Sequence, residues 1–354
     1  MGVTKLGDLF PDRKEVNFEF FSDKSVAFDG NNILYQFLTR IRQSDGSLLT
    51  DEHGNVTSHL SGLLYRVSSI IEKGVKVVFI FDGKPPEEKT KEILKRKKGK
   101  KEADIAYEEA LERGDMELAQ RYAQRTARLT SPMINDAKRL LELMGVPVIQ
   151  APSEGEGQAA YMAKKGDVWA SCSQDYDSLL FGTPRLARNL TLSGKRKLPR
   201  KNVYVEVKPE LIELEQSLNA IEITREELID LAIILGTDFN PEGVGVSGIG
   251  PKTALKLIKE NKSIEKILEL PNMSKAVIDF DIDNVRKLFL EPLITTDYNL
   301  KWHHPKVDEM VDFLTRERGF SETRVRNALE KAMKKAEDQK KQPTLDSFFG
   351  SNKK

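Results

Sequence analysis

The sequence contains little cysteine, histidine or tryptophan, and it has no long apolar run. Cys172 is the only cysteine, which excludes an intramolecular disulfide and a cysteine-rich zinc site, and its apolar neighbours predict that it packs in the interior. Two of the four histidines, His303 and His304, adjoin each other without further ligand residues nearby, so we expect them at the surface. No segment is typical of a membrane span or a signal peptide, and we expect a soluble, cytoplasmic protein.

A formal net charge of +1 excludes a global basic excess, but the charges are unevenly distributed. Residues 84–101 contain nine Lys or Arg against three Glu, and residues 185–201 contain seven Lys or Arg and no acidic residue. Such runs are usually solvated surfaces, but proteins also use them to hold a phosphate backbone. The distribution of charge therefore leaves nucleic-acid binding open.

Residues 151–182 hold two pairs of carboxylates, each at a position where a turn should open a helix. Glu154 and Glu156 form the first pair, and Asp175 and Asp177 form the second. The apolar segment between the pairs is typical of a buried strand, which would carry both pairs to one end of a sheet. Four converging carboxylates repel each other and need cations or protons, and oxygen ligands suit Mg²⁺ or Mn²⁺.

The same residues allow a plainer interpretation. Ser153 and Glu156 have the spacing of a helix capping box, and acidic residues in a first helical turn need no metal. Asp175 and Asp177 could likewise belong to an ordinary acidic turn. Further carboxylates elsewhere in the chain favour the metal site over these alternatives.

Two further aspartates follow apolar strands. Residues 24–29 and 75–82 each form an apolar run that ends on an aspartate, Asp29 or Asp82, and continues into a glycine. Strands that alternate with helices predict a largely parallel sheet, whose sites lie beyond the carboxyl ends of the strands. We therefore expect Asp29 and Asp82 at the same edge, although each could instead be a solvent-facing turn residue.

The charge-dense stretch from residue 87 to about residue 130 predicts two helical limbs that join at Gly114 and Asp115. Its first limb has few large apolar residues, so we expect a protruding, basic element rather than a pair of core helices. Ser131 and Pro132 then open an amphipathic helix.

The second half of the chain carries one more candidate metal-binding carboxylate and a glycine-rich turn. A predicted helix over residues 224–235 leads to Asp238, again at the end of an element. Gly250 would allow a close turn, and Pro251 suits a first helical position, where exposed N–H groups could bind phosphate. A plain connecting loop is the alternative. The remaining predicted elements are a strand over 203–207 and helices near 284–290 and 307–335.

The C-terminal residues 336–354 are polar and basic, which is typical of disorder. Within them, Leu345, Phe348 and Phe349 have the spacing of a single helical turn that could dock into the groove of a partner. A stray aromatic pair is the alternative.

In this order, the motifs resemble flap structure-specific endonucleases of the XPG-like nuclease family, in its archaeal branch. The motifs are Asp29, Phe-Asp82-Gly-Lys-Pro-Pro, Ser-Glu154-Gly-Glu156, Gln-Asp175-Tyr-Asp177, Gly-Thr-Asp238 and Gly248-Ile-Gly250-Pro-Lys-Thr. The resemblance covers about residues 1–335 and implies a single α/β nuclease domain with a PIN-like, mostly parallel central sheet flanked by helices. It also implies a helical arch over residues 83–130 and a helix-hairpin-helix DNA-binding element over residues 224–270.

The resemblance implies cleavage of 5′ flaps where single-stranded and double-stranded DNA meet, with 5′–3′ exonuclease activity, in Okazaki-fragment maturation and long-patch base excision repair. It implies Lys89 and Arg96 as catalytic residues and Tyr35 as a base-stacking residue, although the two basic residues could be solvated and Tyr35 could belong to the core. Two Mg²⁺ ions, with Mn²⁺ as a substitute, would be held by seven carboxylates: Asp29, Asp82, Glu154, Glu156, Asp175, Asp177 and Asp238.

The resemblance also implies partners for two other regions. The first is duplex DNA, bound with the help of K⁺ at the residues Gly248, Gly250, Lys252 and Thr253. The second is a sliding clamp of the PCNA type, bound by the tail motif 342–349 through Gln342, Leu345, Phe348 and Phe349. We expect a monomer that associates with the archaeal nucleoid.

One residue departs from the family pattern, and three alternatives stay open. Gly157 stands where most members have alanine, which would loosen the start of its helix slightly without removing a ligand. A 5′ exonuclease or Holliday-junction resolvase would share the same ligands. A non-catalytic junction binder and a small-molecule phosphatase on a similar scaffold are the alternatives from other classes.

Overall fold

The structure is a computed structural model that describes residues 3, 6–43, 45–192, 194–197, 204–273, 278 and 280–330. Residues 331–335, the predicted end of the last helix, lie outside this part of the chain. The predicted clamp-binding residues also lie outside the described residues: Gln342, Leu345, Phe348 and Phe349.

A central sheet of seven strands organises the described part of the chain. The strands in chain order are β1 (Lys14–Glu15), β2 (Ser25–Asp29), β3 (Lys76–Phe81), β4 (Val148–Gln150), β5 (Ala170–Cys172), β6 (Arg185–Arg188), β7 (Gly194–Lys197), β8 (Tyr204–Val207) and β9 (Glu210–Glu213). The sheet has the order β1-β9-β6-β5-β2-β3-β4, and its neighbours from β6 to β4 pair in parallel. β9 and β1 add an antiparallel edge, and β7 and β8 form a separate hairpin.

The parallel arrangement follows from the continuous apolar runs of the central strands. Every residue of β2 and β3 after the first is buried, as expected for strands that are covered on both faces. The two strands pair in register, with Asp29 opposite Ile80. Asp29 and Asp82 therefore lie at the same edge of the sheet, as predicted.

In addition to a helical stretch over residues 322–330, the described residues contain fourteen labelled α-helices. They are α1 (Gly30–Arg40), α2 (Ser58–Gly62), α3 (Ser68–Glu72), α4 (Thr90–Glu112), α5 (Met116–Ala123), α6 (Ser131–Leu143), α7 (Gly155–Lys165), α8 (Asp177–Leu180), α9 (Leu214–Ile221), α10 (Arg225–Leu235), α11 (Pro251–Asn261), α12 (Ile264–Leu268), α13 (Ile282–Leu290) and α14 (Val307–Asp312). A π turn at Leu63–Val67 joins α2 to α3 in one continuous helical run, and a second π turn at Phe313–Glu317 extends α14.

The core has three apolar clusters around the sheet. On one face, α1, α2, α3, α6 and α14 pack on β2 and β3, with Phe28 and Phe79 stacked at a centroid distance of 5.3 Å. On the other face, α7 packs on the alternate residues of the same strands. The third cluster unites α8 to α13 with the N-terminal segment around Leu6. The sheet is thus covered on both sides, and its carboxyl-end edge carries the acidic residues.

One predicted helix differs from the structure, and one predicted strand is present in a separate hairpin. The helix predicted near residues 307–335 is interrupted, because helical structure ends at Glu317 and resumes at residue 322 of the described residues. Gly319, with a φ of +68°, turns the chain between the two parts, and Phe320 donates its N–H back to the carbonyl of Leu314. The strand predicted over residues 203–207 is present as β8, but it pairs with β7 and not with the central sheet.

None of the helices in the described ranges combines the length and the apolar character that a membrane span requires.

Candidate active site

Seven acidic side chains line one cavity of about 630 Å³ at the carboxyl-end edge of the sheet. Among the residues that the structure describes, no group of three or more His, Cys, Asp or Glu side chains is arranged to hold a metal ion. The acidic side chains of the cavity are the seven carboxylates predicted from the sequence: Asp29, Asp82, Glu154, Glu156, Asp175, Asp177 and Asp238.

Asp29 and Asp82 are each held by the start of a helix. Asp29 caps α1, and its carboxylate accepts the backbone N–H of Asn32 at 3.0 Å. The carboxylate of Asp82 accepts the backbone N–H of Gly155, the first residue of α7, at 2.7 Å. A Cβ on residue 155 would lie 2.9 Å from that carboxylate, so the close approach requires glycine. The positive ends of two helix dipoles therefore stabilise negative charge at this edge.

Glu154 and Glu156 open α7, as predicted. Glu154 is the residue before the first turn, and Glu156 lies within it. The Oε1 atom of Glu156 accepts the hydroxyls of Ser173 at 2.6 Å and Ser178 at 3.1 Å. The alternative of a capping box with Ser153 is wrong, because α7 begins one residue later and its start has no side-chain capping hydrogen bond.

Asp175 lies in the turn between β5 and α8, and Asp177 is the first residue of α8. Oδ2 of Asp175 accepts the side-chain amide of Asn32 at 2.6 Å, and Oδ1 of Asp177 accepts the backbone N–H of Val3 at 2.8 Å. Arg188, at the end of β6, donates to the carbonyl just before Asp175 at 3.1 Å. The turn is thus held by α1, by β6 and by the start of the described chain.

Asp238 lies in the loop after α10, and the buried side chain of Asn240 fixes this loop. The amide of Asn240 donates to the carbonyls of Ile233 at 2.9 Å and Val244 at 3.0 Å. Its carbonyl accepts both the backbone N–H and the hydroxyl of Thr237, at 3.1 and 2.6 Å. The four hydrogen bonds of this amide group tie the loop to itself and to the last turn of α10, and Asp238 in this loop lines the cavity.

Burial and mutual repulsion raise the pKa values of five of these carboxyl groups. For Asp29 and Glu156, burial is the largest cause and neighbouring carboxylates add to it, so that each pKa lies well above its usual value. The same causes raise the pKa of Asp82 to about 6 and that of Asp177 to about 7. Burial also raises the pKa of Asp175. The cavity therefore concentrates negative charge that a bound cation would stabilise.

Two basic side chains reach the carboxylates from the first helical limb. Nζ of Lys89 lies 2.5 Å from Glu154 and 3.7 Å from Asp238. Arg96, on α4, donates to Asp238 at 2.7 Å and also pairs with Glu92. Burial alone would lower the pKa of Lys89, but the two carboxylates beside it raise that pKa above its usual value, so the ammonium stays charged. Both cations line the cavity.

Tyr35 lines the same cavity from α1 and is half-buried. Its hydroxyl donates to the carbonyl of Ala127 at 2.5 Å, and Nζ of Lys100 lies 4.5 Å from the centroid of its ring. One face of the wall is apolar and consists of three mutually packed rings: Phe181, Phe239 and Phe289.

The predicted duplex-binding residues lie outside the cavity, at the start of α11. Pro251 occupies the first helical position, as predicted, and Lys252 and Thr253 are exposed in the first turn. The close turn predicted at Gly250 is made by Gly248, whose φ is +81°, whereas Gly250 is extended with a φ of −94°. A Cβ at either glycine would meet no atom within 4 Å, so these two positions are open to the approach of a ligand.

The sequence did not predict the polar residues that hold the acidic loops. Asn32 and Asn240 follow a predicted aspartate by three and two residues, a spacing typical of local side-chain-to-backbone hydrogen bonds, and this signal was available. Gln150 and Arg188 gave no such signal, because their partners are distant in sequence. Gln150 donates to the carbonyl of Asp82 at 2.7 Å, and this contact spans 68 positions.

A mostly parallel sheet with carboxylates at its carboxyl-end edge, beside a basic helix, defines a nuclease of the XPG class. Residues 1–103 match the XPG N-terminal domain, and residues 145–238 match the XPG I-region. These two regions contain all seven carboxylates of the cavity.

Relatives that cover the whole chain narrow this class. The flap endonuclease 1 of Pyrococcus abyssi is 53 % identical over 349 residues, which cover 99 % of this chain and 98 % of that protein. The flap endonuclease 1 of Staphylothermus marinus is 52 % identical and covers 99 % and 100 %. The solved structure of flap endonuclease-1 from Methanococcus jannaschii matches with a TM-score of 0.73 at 40 % identity, covering 96 % of this chain and 100 % of that one. The chain belongs to the flap endonuclease 1 family, and the fold predicted from its motifs is confirmed.

Proposed function

We propose that this structure-specific flap nuclease hydrolyses the phosphodiester bonds of 5′-flap DNA in the carboxylate cavity. Its substrate is DNA in which a single strand branches from a duplex, as in Okazaki-fragment maturation and long-patch base excision repair. The proposal depends on one observation above all: seven carboxylates and two basic side chains, brought together from distant parts of the chain, line a single cavity.

The donor atoms of the cavity fit hard divalent cations. All seven acidic side chains offer oxygen, which suits Mg²⁺, with Mn²⁺ as a substitute. Burial, and after it the neighbouring carboxylates, raise the pKa values of Asp29 and Glu156. A pair of bound ions would supply hydroxide at neutral pH and stabilise the leaving oxygen. Glu154 and Asp238 already pair with Lys89 and Arg96, so binding of an ion to these two carboxylates competes with the two cations.

Basic and aromatic side chains of the cavity bind and orient the DNA in this proposal. Lys89 and Arg96 neutralise charge that develops on the oxygens of the scissile phosphate. Tyr35 offers a ring face on which a base beside that phosphate can stack. Four more cations line the same cavity and fit the remaining phosphates of the strand under the helical arch: Lys97, Lys100, Lys101 and Arg128.

Removal of single carboxylates tests the assignment. We expect Asp82→Ala and Asp175→Ala to abolish cleavage of a labelled double-flap substrate in Mg²⁺ while binding of the flap DNA persists, because catalysis and duplex binding use different residues. Asp297→Ala, at an exposed position outside the cavity, is the matched control and should cleave normally. Full activity in either cavity variant would rule out the metal assignment.

The position of the cut separates flap cleavage from its alternatives within the nuclease class. A flap endonuclease releases the flap as one product cut at the junction, whereas a 5′ exonuclease releases short products and a resolvase cuts a four-way junction. Mapping the products to the nucleotide distinguishes the three activities.

The start of α11 is the proposed contact to duplex DNA. Gly248, Gly250, Lys252 and Thr253 are exposed, and the N–H groups of this helix end can bind a backbone phosphate, with K⁺ as a candidate ion. The lack of neighbouring atoms around both glycines supports close approach of a ligand. From the family resemblance alone, we expect the protein to act as a monomer.

A sliding clamp is the proposed partner of residues 342–349, on the strength of the sequence alone. Changing Phe348 and Phe349 together to Ala should abolish stimulation by the clamp and leave turnover without the clamp unchanged, because the tail motif is separated in sequence from all cavity residues. A titration of clamp against the doubly substituted protein measures this loss, and an unchanged affinity would refute the proposed interaction.

A further inference from the structure

A chain of three polar side chains connects the cavity to the loop after β6. The hydroxyl of Thr191 donates to Oε1 of Gln36 at 2.8 Å, and Nε2 of Gln36 donates to Oδ1 of Asn32 at 3.3 Å. Nδ2 of Asn32 then donates to Oδ2 of Asp175 at 2.6 Å. Asn32 and Gln36 lie one turn apart on α1, and Thr191 is buried, with 3 % of its surface exposed.

The carboxylate at one end fixes the direction of every bond in this chain. An ionised Asp175 can only accept, so Asn32 must turn its NH₂ group toward it and its carbonyl toward Gln36. Gln36 must then present its NH₂ group to Asn32 and its carbonyl to Thr191. The hydroxyl of Thr191 donates to this carbonyl. Hydrogen bonds aligned in one direction polarise and strengthen one another, so the last donor of the series is the strongest.

Asn32 also contacts a second carboxylate. Its backbone N–H donates to Oδ1 of Asp29 at 3.0 Å, while its side chain contacts Asp175. Asp29 ends β2, and Asp175 follows β5, which is the parallel neighbour of β2 in the sheet. One residue therefore joins acidic groups at the carboxyl ends of two adjacent strands, and its side-chain contact to Asp175 spans 143 positions.

We propose that Asn32 is a positioning residue that fixes the separation of Asp29 and Asp175 for metal binding, and that Gln36 and Thr191 fix Asn32. This inference rests on the proposed function of the cavity. An amide cannot neutralise a carboxylate, but it can set the orientation of its oxygens, and Mg²⁺ demands near-ideal ligand geometry. Thr191 thus gives the loop after β6 an influence on a carboxylate that it does not touch.

The three side chains are not needed to hold α1 in place. The helix packs on the core through its apolar residues, Asn32 lines the cavity, and both Asn32 and Gln36 are half-buried. Without the hydroxyl of Thr191, the carbonyl of Gln36 loses its donor, so that only the contact to Asn32 opposes reversal of the amide. A reversed Gln36 would present its carbonyl to Asn32 and weaken the contact to Asp175.

Binding of Mn²⁺ to the full chain, followed by the electron paramagnetic resonance signal of the free ion, tests the proposal. We expect Asn32→Leu to weaken binding by about 10- to 100-fold, the usual effect of losing a residue that orients a metal ligand. Thr191→Val, one hydrogen bond further away from the amide pair, should weaken it by about 2- to 5-fold, which corresponds to the loss of one neutral hydrogen bond. Thr191→Ser keeps the donor and should restore the affinity.

Thr183→Val is the matched control. Thr183 is fully buried, and its hydroxyl donates to the carbonyl of Arg185 at 3.2 Å, outside the series. Removing it should lower the thermal midpoint about as much as Thr191→Val does, without any change in Mn²⁺ affinity. In flap cleavage, Thr191→Val should raise the Mg²⁺ concentration at half-maximal kcat and leave KM for DNA unchanged. A merely structural role would leave that Mg²⁺ concentration unchanged as well.

The outcomes distinguish failure of this inference from failure of the proposed function on which it rests. Wild-type Mn²⁺ affinity in Asn32→Leu, or equal affinities in Thr191→Val and Thr183→Val, would overturn the positioning role. Should Asn32→Leu fail to fold, the comparison of Thr191→Val with Thr191→Ser decides alone. The unaltered chain should bind Mn²⁺, and Asp175→Ala should remove that binding. If either result is absent, the proposed metal site itself fails, whatever the other variants show.

Discussion

Gly157 is a residue at which the neighbours, and not the backbone, require glycine. A Cβ at this position would lie 2.9 Å from Cβ of Pro292 and 3.4 Å from the ring of Phe181. Pro292 cannot easily retreat, because Gln158 holds the same segment through two hydrogen bonds to the backbone of Thr295, at 2.9 and 2.8 Å. The family pattern of alanine at this site therefore does not fit the packing of this chain.

Gly157→Ala should destabilise the protein. Alanine favours a helix over glycine by up to about 1 kcal/mol, but overpacking a rigid contact costs about 1–3 kcal/mol, so we expect the contact to dominate. Thermal unfolding measures the change as a lower midpoint.

Gly99 offers a matched control for this substitution. It lies within α4, and an added Cβ would meet no atom within 4 Å. Gly99→Ala should therefore raise stability through helix propensity alone. The packing argument would be wrong if both substitutions stabilised the protein equally.

At the residue scale, the sequence predicted the acidic ligands better than the groups that hold them. Asp29 and Asp82 could be predicted because a buried strand and the glycine after it locate both on one edge. The contact from Asn32 to Asp175 could not, because it joins residues that only the strand order brings together. The conformation of Gly250 was also not predictable, since either glycine of the motif could make the left-handed turn.

At the scale of elements, three helices of the C-terminal half meet at one buried ion pair. Asp230 on α10 is 4 % exposed and accepts two hydrogen bonds from Arg286 on α13, at 2.6 and 2.8 Å. The same carboxylate accepts the N–H of Ile264, the first residue of α12, at 3.0 Å. Because α10 leads directly to Asp238, this ion pair also supports one wall of the cavity.

Arg286→Ala should destabilise the protein by about 3–5 kcal/mol, because it leaves the buried carboxylate of Asp230 without its cation. Arg286→Lys keeps the charge but loses the bidentate geometry, so its stability should lie between that of the unaltered chain and that of Arg286→Ala. Denaturant unfolding at neutral pH measures both changes.

Arg326→Ala is the control for this pair. Arg326 pairs with Glu322 at 2.8 Å, but both side chains are largely exposed, and such pairs contribute at most about 1 kcal/mol. A cost for Arg286→Ala no larger than that of Arg326→Ala would show that the buried pair does not hold the three helices together.

Elements that depend on a continuous apolar run were predictable, and those that depend on a neighbour were not. β2 and β3 carry such runs, and the structure has them where the sequence placed them. β1, at the edge of the sheet, and β9, beside it, are short strands whose residues form strands only because β9 pairs with both β1 and β6. The break at Gly319 had a local signal, but the amphipathic pattern on both sides of it favoured one continuous helix.

The whole molecule assembles its cavity from elements that are stable without it. Apolar packing on both faces of the sheet fixes the strands, and the strands bring carboxylates together that repel each other. The convergence of these groups was predictable from topology, since parallel strands share a carboxyl-end edge. Their separations were not, because side-chain contacts such as those of Asn32 and Arg188 set them.

This electrostatic cost should appear in the stability of the metal-free protein. A carboxyl group whose pKa is higher in the folded state binds more protons there than in the unfolded chain. Stability therefore falls as pH rises through the interval between the unfolded-state pKa and the folded-state pKa. For Asp82 and Asp177 the interval runs from their usual values to about 6 and about 7. In the presence of a chelator, the thermal midpoint should therefore be higher near pH 5 than near pH 8, apart from the general effects of pH on the rest of the chain.

Mg²⁺ or Mn²⁺ should reverse this trend, because an ion that binds only the folded state stabilises it, and binding requires the ionised carboxylates. We expect the ion to raise the thermal midpoint strongly near pH 8 and little near pH 5. Asp82→Asn together with Asp177→Asn removes two of the repelling charges, so in chelator this variant should be more stable near pH 8 than the unaltered chain and should gain less from the ion. A midpoint that neither chelator nor ion shifts at pH 8 would show that the seven carboxylates do not act together as a cation site.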